Sequence, residues 1–155
     1  MTKNKPLKTP ILIVAFNRPD KVQKVFNRVR EVQPMQLFLS VDGARTHKAN
    51  EAEKVKAVHD IIKQVDWDCE LKTLFRTKNL GCRMGVSSGI DWFFEQVESG
   101  IILEDDCVPD VSFFYFCEDV IGILIGIALN VWIALGSVDI LTIFILPIHE
   151  HGILF

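Results

Sequence analysis

Three consecutive acids, Glu104, Asp105 and Asp106, close the apolar run Ile101, Ile102, Leu103. Adjacent carboxylates repel one another, so the arrangement costs free energy unless water, a cation or hydrogen-bond donors neutralise it. The run reads as the inside of a buried strand. Its acids then emerge at the C-terminal end, the edge at which open α/β sheets bind ligands. Hard carboxylate oxygens select magnesium or manganese, which bind through one or two carboxylates together with substrate phosphates. The cysteines, Cys69, Cys82, Cys107 and Cys117, show no zinc spacing and no CxxC pair, so the chemistry indicated is phosphate and divalent cation. A solvated strand-end loop is the plain alternative.

Two further strand ends carry polar groups. Asn17 and Arg18 follow ILIVAF (11–16), and Asp42 closes LFLSVD (37–42). If these strands run parallel to the one before the acids, all three ends fall on one edge. That crevice suits a nucleotide diphosphate.

The elements that must position these groups follow from hydrophobic periodicity. The first run is bounded by Pro10 and by Asn17-Arg18-Pro19, and it reads as a buried parallel strand. Pro19 is placed to open a helix, in which Val22, Val25, Phe26, Val29 and Val32 recur at helical spacing up to Pro34. The second strand is followed by a helix with Val55, Val58, Ile61, Ile62 and Val65 on one face. CELKTLF (69–75) alternates, which predicts a third strand nearer the sheet edge, and 76–83 reads as a loop. Val86, Ile90, Phe93, Phe94 and Val97 define a third helix ending near Gly100, ahead of the fourth strand. Asp110 is placed to cap one more helix. This alternation predicts an α/β fold with a mostly parallel sheet, right-handed crossovers and helices on both faces.

The chain has 155 residues, enough for one modest core, and a net charge of −3, which gives no nucleic-acid footprint. The cysteine usage predicts buried, reduced thiols in a reducing compartment. The N-terminus lacks the apolar stretch of a secretory signal. Charge is unevenly distributed: no Lys or Arg follows Arg83, and beyond Asp119 the only formal charges are Asp139 and Glu150. Arg76, Lys78 and Arg83 could meet phosphates or form a solvated basic loop. Gly85 and Gly89, four apart, favour close helix packing over approach to a nucleotide. His47 and His59 read as solvent-facing, Cys107 as packing rather than nucleophile, and His149 with His151 as too isolated for a metal site.

In order, PILIVAFNRPD, LFLSVDG, TKNLGCRMGVSSGIDWFF and IILEDDCVPDVSFFYFCE resemble the nucleotide-binding half of GT-A glycosyltransferases. They are most similar to the family of protein-linked β-1,2-N-acetylglucosaminyltransferases and to bacterial proteins of the family-2-like type. The resemblance covers roughly residues 9–119. It implies a Rossmann-like GT-A half-domain whose acid triplet is the DXD-type motif. Asp106 then corresponds to the direct ligand of a divalent cation, manganese or magnesium, bridging the donor's phosphates. Glu104 and Asp105 correspond to contacts with sugar, ribose or metal-bound water, Asp42 to the nucleoside contact, and Arg18, beside Asn17 in the first loop, to a contact with base or ribose. The implied donor is a UDP-like nucleotide-diphospho-sugar and the acceptor a hydroxyl. A nucleotidyltransferase shares the phosphate logic, but it would want a Gly-rich basic loop after the first strand, and FNRPD is not one.

The resemblance implies an acceptor half and a catalytic base that the chain does not supply. The expected division is therefore a partial nucleotide-sugar domain over 1–119 and an apolar segment over 120–155. Residues 120–138 are apolar enough for a candidate membrane span, which would anchor a cytoplasmic domain. The alternatives are a buried helix and a frame-shifted or truncated end. A non-catalytic nucleotide-sugar-binding remnant, or a membrane-tethered fragment, is the competing functional reading.

Overall fold

A computed structural model describes residues 5–127. Four strands, β1 (Ile11–Ala15), β2 (Gln36–Val41), β3 (Glu70–Phe75) and β4 (Ile101–Glu104), form one sheet in the order β3-β2-β1-β4. Every pairing is parallel. The register sets Ala15 against Val41 and Val14 against Glu104. The loops after β1, β2 and β4 therefore leave the sheet at one edge, as the three polar strand ends predict.

Helices α1 (Pro19–Val32), α2 (Glu51–Ile61), α3 (Cys82–Phe94) and α4 (Val111–Ile127) complete the alternation. Side chains alternate across a strand, and the core divides accordingly. Ile11, Ile13, Leu37, Leu39, Ile101 and Leu103 face α1, α2 and α4, with Phe26 and Phe114 fully buried among them. Leu12, Val14, Phe38 and Ile102 face α3 through Phe93 and Phe94. Phe38 meets Phe93 edge-to-face at 4.8 Å. Each fully buried side chain of this size contributes on the order of 1.5–3 kcal/mol.

The helix ends follow from local chemistry. Pro19 sits at the start of α1, where its missing N–H costs nothing, and it holds Arg18 out of the helical region at φ −118°. Asp110 Oδ1 accepts the Ser112 N–H at 2.9 Å and caps α4 as expected. The third helix differs from its sequence reading at both ends. It starts at Cys82, inside the stretch read as loop, because Gly81 at φ +81° turns the chain there. It stops at Phe94, where Gln96 and Val97 donate to the Phe93 carbonyl and tighten the last turn. The second helix passes into a short 3₁₀ turn at Ile62–Gln64.

Helix α4 runs without a break across the composition boundary at Asp119. Among the described residues no helix is long and apolar enough to cross a membrane. The part of the candidate span beyond Ile127, and His149 with His151, lie outside the described residues.

Candidate functional site

A cavity of about 370 Å³ opens at the sheet edge where the strand ends converge. That is within the range of small-molecule sites. Asn17, Arg18, Asp42, Glu104 and Asp105 all line it, together with Phe16, Arg45, Asn79, Gly81, Cys82 and Gly85. Asp106 does not line the cavity; Arg18 ties it to the others.

Arg18 reaches the acids because its backbone is fixed by Pro19 at the mouth of β1. Its Nε donates to Asp105 Oδ2 at 3.1 Å, its second amino group to Asp105 Oδ1, and its first to Asp106 Oδ2 at 3.1 Å. Every guanidinium nitrogen is thus engaged by the triplet. Asp105 is buried, and burial pushes its carboxyl up against the pull of Arg18. Glu104 is pushed up by burial and by its neighbours Asp106 and Asp105, with Arg18 opposing. Among the described residues no donor hydrogen-bonds the Glu104 carboxylate, while its backbone carbonyl accepts the Cys107 N–H at 3.1 Å. The cost of adjacent carboxylates is met in part by one cation and in part by a shifted proton equilibrium.

Asp42 is buried at the end of β2. Its carboxylate accepts the N–H groups of Gly43 at 2.9 Å, Leu80 at 2.9 Å and Gly81 at 3.1 Å, and Asn79 Nδ2 at 3.0 Å. It therefore holds the loop that leads into α3. The helix itself lies close to β2. A Cβ on Gly85 would stand 3.2 Å from Asp42 Oδ2, and one on Gly89 would stand 2.6 Å from Ser40 Oγ. Both glycines permit close packing, and Gly85 also forms cavity wall.

A third cluster was invisible to periodicity. Glu51, at the first turn of α2, is buried and accepts Asn17 Nδ2 at 2.8 Å, the Arg45 N–H at 2.7 Å and the Arg45 Nε at 3.0 Å. A further ion pair joins it to the terminal amino group of Arg45. The Arg45 guanidinium holds its carboxyl down at about 2, and the Arg45 guanidinium carbon lies 5.4 Å from the Phe16 ring centre. A carboxylate at a helix start with a loop arginine six residues before it is the signal sequence reading could have used.

The basic-loop residues divide. Arg76 turns inward to Ser40 Oγ at 3.0 Å and Ser88 Oγ at 2.7 Å; Lys78 and Arg83 are exposed. None of the three lines the cavity. No disulfide joins the four cysteines; Cys107 and Cys117 are buried, Cys69 is half-buried, and Cys82 is exposed. His47 is exposed, as expected, whereas His59 is half-buried. Its ring stacks on Phe75 at 3.8 Å, its Nε2 is buried with no hydrogen-bond partner among the described residues, and burial pushes its pKa down.

Among the described residues no group of three or more His, Cys, Asp or Glu side chains closes on one point to hold a metal ion. A magnesium or manganese site built from one or two carboxylates, phosphates and water does not require such a group. Among the described residues Glu104 supplies an uncommitted carboxylate, and Asp106 Oδ1 accepts only the Cys107 thiol, at 3.9 Å. This donor set fits a hard divalent cation once phosphates complete the shell.

The chain matches no protein-family model and no curated protein. The functional reading therefore stands on the chemistry of the site and on the ordered sequence segments.

Proposed function

We propose that the cavity is the donor site of a GT-A-type glycosyltransferase half-domain, binding a UDP-like nucleotide-diphospho-sugar with manganese or magnesium for transfer of the sugar to a hydroxyl acceptor. The observation that carries this reading is the meeting of Asn17, Arg18, Asp42, Glu104 and Asp105 on one cavity at the C-terminal edge of a parallel sheet. Asp106 and Glu104 would hold the cation, which when bound neutralises charge on the leaving diphosphate. The chain's own part is to shape the pocket and to present oxygen ligands beside it. Of the carboxylates that line the cavity, Asp42 is engaged by the loop before α3, Asp105 by Arg18, and Glu104 is assigned to the cation, so donor binding without turnover is the second reading. Titration of the full chain with UDP, with and without manganese, tests the proposal: binding that requires the cation supports it, and binding indifferent to the cation contradicts it.

A further inference from the structure

We infer that Arg45 is the anion-binding residue of the cavity, set in place by Glu51 and Phe16, and that it takes a phosphate oxygen of the ligand. The inference deepens the donor-site reading and rests on it for the nature of the ligand. It does not rest on it for the presence of an anion site.

Two arginines line the cavity. Arg18 has its Nε and both amino groups committed to Asp105 and Asp106. Arg45 differs. Its backbone N–H, its Nε and one terminal amino group go to Glu51, while among the described residues nothing hydrogen-bonds the other amino group. One face of the guanidinium lies toward Phe16. The arginine is half-exposed, whereas its carboxylate partner is only 5% exposed, so the fork is gripped from the protein side and open on the other.

That is a preorganised donor. A free arginine loses rotamer freedom when it binds an anion. Here the ion pair and the ring contact have already fixed it. Asn17, donating to the same carboxylate at 2.8 Å, ties the loop after β1 to the start of α2. The remaining N–H groups suit a tetrahedral oxyanion, since guanidinium donors match phosphate geometry.

The test is calorimetric titration of the full chain with inorganic pyrophosphate in the absence of divalent cation, and separately with UDP and manganese. Arg45→Gln is expected to weaken pyrophosphate binding by about tenfold or more. Glu51→Gln, which frees the guanidinium without removing it, should weaken pyrophosphate binding by a smaller factor. If Arg45→Gln fails to fold, the double variant Arg45→Met with Glu51→Met replaces it, because it leaves no buried carboxylate unpaired. Unchanged pyrophosphate affinity in the folded variant, or no pyrophosphate binding by the wild-type chain, overturns the assignment. Arg45-dependent pyrophosphate binding without manganese-dependent UDP binding supports the assignment and contradicts the donor-site reading. UDP binding that does not depend on Arg45 overturns the assignment and leaves that reading standing.

Discussion

The guanidinium of Arg18 grips both carboxylate oxygens of Asp105 across 87 residues of sequence, joining the loop after β1 to the loop after β4. Asp105 is buried and Arg18 is 47% exposed, so the pair is a charge at the cavity wall with one partner in water. Its worth lies between that of a surface pair and a buried one.

Removing the arginine should therefore do two things. Arg18→Ala is expected to destabilise the chain by about 1–2 kcal/mol, below the cost of breaking a fully buried pair because solvent screens the exposed side. It should also raise the Asp105 pKa further, since burial would then act without its main opponent. Urea denaturation gives the first quantity, and carboxyl titration by NMR gives the second. A variant as stable as the wild type would show that the pair contributes no net stability.

Acidification should weaken the fold in two steps. Burial against Phe75 pushes the His59 pKa below its ordinary value, with Asp60 opposing and Lys56 adding to the shift. The unfolded chain takes up this proton first, near the ordinary value of 6.5, so stability falls as pH drops through that value and levels off below the lowered native one. Glu51 acts at lower pH. Its native pKa is about 2 against an ordinary 4.5, so the stability it lends above 4.5 is lost as pH falls between those values. Melting temperature against pH should show both phases. His59→Leu should abolish the upper one, and its persistence in that variant would contradict the assignment.

Asp42 faces three backbone N–H groups and the Asn79 side-chain amide with its two oxygens. Asp42→Asn turns one acceptor into a donor toward the loop at Leu80 and Gly81, leaving buried groups unpaired at a cost of about 1–3 kcal/mol. The loop over the cavity should loosen as well, read as faster amide exchange at Leu80 and Gly81. An exchange pattern identical to the wild type would mean that other contacts hold the loop.

The strands were legible because their apolar runs are fully buried on both faces, and β3 declared itself an edge by its alternation. The strand-end residues were legible for the same reason, since a parallel sheet carries its strand ends to one side. Periodicity says nothing about which polar side chains pair. Asp42 reads from sequence as a strand-end acid, and only the folded geometry shows its oxygens occupied by the loop before α3. Arg45 and Glu51 lie in a turn and at a helix start, outside any apolar repeat, so only the folded geometry shows them meeting. His59 is half-buried rather than fully on solvent because its helical face meets Phe75, which β3 brings from the next element.

The measurement that bears most directly on the central claim is titration of the full chain with UDP and manganese, comparing the wild type with Asp106→Ala. The account predicts cation-dependent binding by the wild type and its loss in the variant, with the melting transition of the variant intact. Equal binding by both proteins, or none by a folded wild type, would contradict it.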